Sequence, residues 1–145
     1  MTNKLNEFII KGHFKEAKEM TNELSYPELD GELMEMTFKN SSITNYAFIM
    51  SLLVEEENVE LHEMAFRLMA IPLSYLNGAY YAALYHARRC VELTDRQDIR
   101  YLSYLLFLHQ IPDEKIVSEE DAFDTVKRML SLDPDHVVAK KFLNK

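Results

Sequence analysis

The histidines are the side chains of this sequence best suited to metal binding, and their spacing predicts no local metal site. His62 and Glu63 begin the His-Glu-x-x-His pattern of zinc proteases, but Phe66 stands where the second histidine is needed. We therefore predict no metal and expect exposed or helix-capping histidines, with assembly of a metal site in the folded chain as the open alternative. The five histidines are His13, His62, His86, His109 and His136.

Nucleophilic and acid-base catalysis also lack a distinctive motif. The sequence has no Gly-x-Ser-x-Gly elbow, and three glycines are too few for a glycine-rich phosphate loop. Glu55, Glu56 and Glu57 contain the carboxylate pairs that acid-base catalysis uses, but any acidic helical protein presents such pairs on a solvated face. We therefore expect a protein that is not an enzyme and that needs no cofactor.

The negative charge of the chain is concentrated in one region. Residues 28–63 contain nine acids and one base, which gives −8, while residues 1–27 and 64–145 each sum to zero. Binding of nucleic acid depends on neutralising phosphates, so this region disfavours nucleic acid. A charged partner of such a surface is expected to be a basic protein.

The glutamates near the joint between two predicted helices are the candidate partner-binding residues. Glu60 is placed in the first turn of a helix, where negative charge is favourable, but Glu55 and Glu56 fall at the unfavourable end of the preceding helix. Two interpretations stand, a surface that binds a basic partner and a surface that keeps the protein soluble. The candidates are Glu55, Glu56, Glu57, Glu60 and Glu63.

A second group of candidates is rich in tyrosine. Six tyrosines fall within thirty residues on two helices that are expected to pair. Tyrosine combines a large apolar area with a polar tip, so it serves both in helical cores and in recognition grooves. We favour the core and keep a groove as the alternative, with Tyr80, Tyr81 and Arg88 as its partner-binding residues. The tyrosines are Tyr75, Tyr80, Tyr81, Tyr85, Tyr101 and Tyr104.

The elements that position these residues are predicted to be helices throughout. Apolar residues recur at steps of three and four, without the alternation that indicates strands. We predict an all-α fold of about seven to eight helices. The candidate segments from which this estimate is made number nine, some of them short: 3–11, 14–24, 28–39, 43–56, 59–70, 79–93 and 96–109, followed by segments that begin at Ser118 and at Asp133.

Several helix ends have specific signals. One of Ser41, Ser42 or Thr44 is expected to cap the helix near 43–56, which is apolar on all sides and is therefore predicted to be central. Further predicted caps are Asn58, Asp95, Ser118 and Asp133, the last with Pro134 in the first helical position. Tyr26 and Pro27 are predicted to end the second helix.

A spaced motif occurs twice. Gly12-x-Phe14-x-x-Ala17 recurs 66 residues later as Gly78-x-Tyr80-x-x-Ala83, close to twice a repeat of about 34 residues. These residues resemble the second helix of tetratricopeptide repeats. The resemblance covers residues 3–24, 75–95 and 119–144 but not 28–70. It implies stacked antiparallel helical hairpins, either tetratricopeptide-like or as an irregular solenoid or bundle, with a concave surface for a partner.

Length and composition complete the predictions. With 145 residues, 48% of them hydrophobic, the chain is expected to form a single helical domain over 1–145. No apolar run is long enough to form a signal-peptide core or to span a bilayer, which predicts a cytoplasmic protein that does not bind membranes. The single cysteine, Cys90, lies on a face of small residues and is expected to be buried.

Taken together, these features predict a protein–protein interaction module of the adaptor, chaperone or neutralising immunity type, with a basic partner. It is expected to be a monomer or a homodimer. Two alternatives belong to other classes. One is a hydrolase or small-ligand-binding protein with a pocket between helices near the tyrosines and His86. The other is a homo-oligomeric structural protein that pairs through the apolar helix over 99–108.

Overall fold

A computed structural model describes residues 2–112 and 115–144, and this part of the chain contains nine helices and no strand. The prediction of an all-α fold is confirmed, and the nine helices equal the candidate segments in number and are close to the estimate of seven to eight. The helices are α1 (Thr2–Ile10), α2 (Phe14–Thr21), α3 (Tyr26–Asn40), α4 (Ile43–Glu55), α5 (Val59–Ala70), α6 (Ala79–Leu93), α7 (Ile99–His109), α8 (Glu119–Leu132) and α9 (Val137–Leu143).

Three of the predicted helix caps are confirmed by their hydrogen bonds. The Ser42 hydroxyl accepts from the Thr44 amide at 3.2 Å at the start of α4. Asn58 Oδ1 accepts from the Leu61 amide at 2.9 Å at the start of α5. Ser118 Oγ accepts from the Asp121 amide at 3.0 Å at the start of α8. Each cap satisfies an amide that has no partner within its own helix.

The prediction that Tyr26 and Pro27 end a helix is wrong, because they begin one. α2 ends at Thr21, and Ser25 caps α3 through a capping box in which Ser25 and Glu28 bond each other's backbone amides. Pro27 lies in the first turn of α3. Proline is tolerated there because an amide in the first turn needs no carbonyl partner within the helix.

Two further caps lie three residues later than predicted. Asp98, not Asp95, caps α7, and Asp95 adopts a left-handed conformation in the connection before it. His136, not Asp133, caps α9 by accepting the Ala139 amide at 3.3 Å, and Asp133 instead terminates α8. In both places the capping atom belongs to a residue three positions after the predicted one.

The contacts divide the chain into two compact units, Met1–Ala83 and Leu84–Lys145, and the single domain predicted over 1–145 stays a prediction. In the first unit α4 packs against α1, α2, α3 and α5. Phe48 and Ile49 of α4 are completely buried, but Val54 is 85% exposed. The apolar residues on all sides of α4 are therefore not all buried. The central position predicted for α4 is therefore found within this unit.

The helices next to α4 have defined directions. The Phe14 and Phe48 rings are 5.5 Å apart, and Lys18, one turn further along α2, forms an ion pair with Glu55 at the end of α4. α2 and α4 therefore run in the same direction. The contacts between α3 and α5 described below give these two helices a common direction as well.

The second unit is built around α8, which packs against α7 and α9. His109 connects these elements, because its Nδ1 lies 2.8 Å from the Val117 carbonyl oxygen and its ring meets Phe142 edge-on at 5.6 Å. Cys90, on the part of α6 that belongs to this unit, is completely buried as predicted.

The two copies of the spaced motif, both in the first unit, have the same backbone conformation at the glycine and the same burial of the alanine. Gly12 and Gly78 have φ of 79° and 84°, and Ala17 and Ala83 are completely buried. Membership of the tetratricopeptide family stays a prediction.

Candidate functional site

The five candidate glutamates lie around one joint of the first unit, between α4 and α5. We call Glu55, Glu56, Glu57, Glu60 and Glu63 the acidic corner. Glu55 is the last residue of α4 and Glu56 is its C-cap, while Glu60 lies in the first turn of α5. Because α4 ends where α5 begins, a contiguous acidic segment of sequence stays together in the fold.

Glu55 and Glu57 of the acidic corner each have a cationic or polar partner. Glu55 forms an ion pair with Lys18 of α2. Glu57 Oε2 lies 2.7 Å from Nε2 of His62, whose side chain is only 2% exposed. These contacts hold α2 and the start of α5 against the corner, and they give both glutamates a role in the fold.

Glu56 and Glu60 are exposed and form no ion pair with any other residue in 2–112 or 115–144. Their positions differ electrostatically. The negative charge of Glu60 lies at the positive end of the α5 dipole, where it is stabilising, whereas that of Glu56 lies at the negative end of the α4 dipole, where it is destabilising. Glu56 is therefore an exposed member of the corner whose charge lies at the unfavourable end of its own helix.

The acidic corner continues onto α3. Asn58 at the start of α5 donates to the hydroxyl of Tyr26 at the start of α3 at 2.9 Å, and one turn along α3 Asp30 forms an ion pair with Arg67. α3 and α5 therefore run side by side in the same direction. The remaining acids of α3 are Glu28, Glu32 and Glu35.

Two carboxyls of α3 have shifted pKa values with opposite signs. Burial raises the pKa of Asp30, the Arg67 guanidinium opposes this shift, and the Glu63 carboxylate adds to it. The pKa of Glu28 is lowered by the hydrogen bond from the Ser25 amide and then by that from the Ser25 hydroxyl. The negative charge of Asp30 is thus unfavourable in the folded chain, whereas that of Glu28 is favourable.

An open cleft lies beside the acidic corner, with a volume of about 430 Å³. It is bordered by the end of α2, the α2–α3 connection, the start of α3 and the α4–α5 joint. Leu24, Leu29, Leu52 and Leu61 provide its apolar surface. Its polar lining is Lys18, Thr21, Asn22, Tyr26, Glu55, Glu56 and Asn58. We call it the corner cleft.

A second cleft of about 410 Å³ shares residues with the corner cleft. Four residues line both clefts: Lys18, Asn22, Leu52 and Glu55. The ion pair between Lys18 and Glu55 therefore contributes to the lining of both. Phe14 and Lys15 line this second cleft but not the corner cleft. Glu56 lines only the corner cleft of the two.

The tyrosine candidates do not all have one environment. Tyr101 is buried and packs edge-on against Tyr104 at 5.9 Å, as a core residue does, whereas Tyr75 and Tyr81 are 66% and 55% exposed. Tyr80 is half-buried on α6. Arg88, in the second unit, is exposed and its Nη2 lies 3.9 Å from Oδ2 of Asp121. The core interpretation therefore holds for Tyr101 but not for Tyr75 or Tyr81.

The expectation of exposed or capping histidines is correct for some positions and wrong for others. His136 caps α9, but His62 and His86 are buried. His62 meets Glu57, and the ring of His86 packs edge-on against Tyr85 at 5.0 Å. In the described part of the chain, no three potential ligands among His, Cys, Asp and Glu come together in a way that could hold a metal ion.

The basic residues that pair with acids of the corner and of α3 were not predicted from the sequence. Lys18 and Arg67 each pair with an acid 37 positions away in the chain, a separation that no helical periodicity indicates. In the described ranges no helix combines the length and the apolar character needed to cross a bilayer.

No protein-family model, curated protein or solved structure matches this chain.

Proposed function

We propose that this protein is a non-enzymatic protein–protein interaction module that binds a basic partner through the acidic corner. Its role would be that of an adaptor, a chaperone or a neutralising protein of the immunity type. The observation that carries the proposal is Glu56, an exposed carboxylate at the negative end of α4 with no ion-pair partner in the described ranges. A cation on a partner would offset the unfavourable position of this charge at the negative end of the helix.

The surrounding charges support the same partner. Glu60 is also exposed, and the acids of neighbouring α3 extend the negative surface. A surface of one sign raises the rate of encounter with a partner of the opposite sign and disfavours partners of the same sign. Binding of this kind needs no catalytic arrangement, so specificity rests with the exposed side chains.

The experiment compares capture of proteins from native lysate by three forms of the full chain. The test variant combines Glu56→Lys with Glu60→Lys, which leaves the Lys18–Glu55 and Glu57–His62 contacts in place. The control combines Glu16→Lys with Glu120→Lys, two exposed positions outside the corner with the same change in charge. Captured proteins are identified and quantified by mass spectrometry at low and moderate salt.

We expect a basic protein to be retained by the wild type and by the control, lost with the test variant, and weakened by salt. Retention of the same protein by all three forms would contradict the proposal and move the binding surface elsewhere. Recovery of no basic protein by the wild type would also contradict it.

A further inference from the structure

The corner cleft has the features of a binding place for one particular side chain. We propose that it takes an arginine of the basic partner, with the guanidinium at Glu56 and Tyr26 and the methylene chain on the leucines. This inference rests on the proposed function, which it makes specific.

The apolar surface of the cleft fits the methylene part of arginine. Leu24 and Leu52 are half-buried and expose apolar surface to the cleft, and Leu29 and Leu61, each 4% exposed, complete its apolar lining. Long cationic side chains bury their methylene groups against apolar surface while the charged end stays at a polar border. The cleft provides both kinds of surface.

The polar border of the cleft supplies the anion. Lys18 is paired with Glu55, so these two charges cancel, and Glu56 leaves the charged lining residues with a formal charge of −1. A partner cation at Glu56 would also lie near the negative end of the α4 dipole. The cleft is therefore complementary to one positive charge.

Tyr26 favours arginine over lysine. Its side chain is 43% exposed, and its hydroxyl is held by the Asn58 amide at 2.9 Å, which fixes one end of the ring. A planar guanidinium stacks on an aromatic ring and bonds a carboxylate through two N–H groups, whereas an ammonium acts as a point charge. A ring and a carboxylate in one cleft therefore suit a guanidinium.

The test titrates the full chain with N-acetyl-arginine amide and follows the backbone amide signals by NMR. The matched probes are the corresponding lysine and citrulline amides, since citrulline keeps the shape of arginine without its charge. We expect the signals of Leu24, Glu56 and Asn58 to shift and saturate with arginine in the millimolar range. Lysine is expected to bind more weakly, and citrulline not to bind.

Two variants locate the binding. Glu56→Gln should weaken arginine binding by roughly tenfold, as expected for loss of one charge-assisted contact. Glu60→Gln, which removes the other unpaired charge of the corner but does not line the cleft, should leave it unchanged. Tyr26→Leu should reduce the ratio of the lysine dissociation constant to the arginine dissociation constant. The thermal unfolding temperature of each variant shows that it is folded.

The failures of the inference and of the proposed function are distinguishable. The inference is overturned if arginine produces no shifts up to about 20 mM, if citrulline binds equally well, or if Glu60→Gln weakens binding as much as Glu56→Gln. The proposed function stands in each of these cases if the double lysine variant still loses its basic protein. It fails by itself if the capture experiment shows no such loss.

Discussion

The side chain of Asn58 joins α5 to α3 through Tyr26. Its Oδ1 accepts the Leu61 amide at 2.9 Å and caps α5, while its Nδ2 donates to the Tyr26 hydroxyl at 2.9 Å. The side-chain amide of Asn58 thus caps α5 and also bonds the first residue of α3. This contact also forms part of the lining of the corner cleft.

Substitutions of Asn58 and Tyr26 should distinguish the contribution of the helix cap to the free energy of unfolding from that of the hydrogen bond between the helices. Asn58→Ala removes both and should lower the free energy of unfolding by about 1 to 2 kcal/mol. Asn58→Ser keeps a capping hydroxyl but cannot reach Tyr26, so it should cost about as much as Tyr26→Phe, roughly 0.5 to 1 kcal/mol. Urea unfolding measures all three, and equal costs for Asn58→Ser and Asn58→Ala would contradict this assignment.

Neutralising Glu56 and neutralising Glu60 should change stability in opposite directions. Glu56→Gln removes a charge from the negative end of α4 and should raise the free energy of unfolding by about 0.3 to 1 kcal/mol. Glu60→Gln removes a charge from the positive end of α5 and should lower it by a similar amount, about 0.3 to 1 kcal/mol. Denaturant unfolding at low salt checks both, and added salt should shrink both effects. The same sign for the two variants would show that the helix dipoles are not the cause.

Stability should depend on pH through Asp30. Burial raises the pKa of this carboxyl in the folded chain, with Arg67 opposing the shift. A carboxyl with a raised folded pKa adds stability below its unfolded pKa, and this contribution is lost as the pH rises through the folded pKa. The difference in unfolding free energy, wild type minus Asp30→Asn, should therefore rise as the pH falls from about 7 to about 4.

Urea unfolding of wild type and Asp30→Asn at several pH values measures this difference. Asp124→Asn is the matched control, because Asp124 is an exposed aspartate in the second unit. A difference for Asp30→Asn that falls with decreasing pH would mean that the ion pair with Arg67 outweighs burial.

Two apolar residues of α4 should respond very differently to truncation. Phe48 is completely buried against Phe14, so Phe48→Ala should destabilise the protein by about 3 to 5 kcal/mol. Val54 lies on the same helix but is 85% exposed, so Val54→Ala should change stability by less than about 0.5 kcal/mol. Thermal or urea unfolding distinguishes them, and a large loss with Val54→Ala would indicate that another surface covers this residue.

Helix positions were predictable from the sequence where the signal is local. Ser42, Asn58 and Ser118 cap the helices that follow them because a short polar side chain reaches an amide two or three residues ahead. Asp133 misled the prediction because its Oδ1 accepts the Asp135 amide at 3.1 Å and closes a turn instead. Aspartate favours both arrangements, and the local sequence does not choose between them.

The acidic corner was only partly predictable. Its five glutamates are close in sequence, so a helical joint keeps them together in any such fold. The ion pairs of Glu55 with Lys18 and of Asp30 with Arg67 depend on which helices lie side by side, and this is decided by packing across the whole first unit. The distinction between paired Glu55 and unpaired Glu56 arises only from that packing.

Cys90 is completely buried and is the only cysteine of the chain. A disulfide reagent reacts with a thiolate that meets solvent, so it labels this residue only in molecules that have opened around Cys90. The labelling rate under native conditions, divided by the rate in denaturant, therefore gives the equilibrium constant of the opening that exposes Cys90 when closing is fast. The natural sequence thus contains a single-site reporter of its own fluctuations, and no engineered probe is needed.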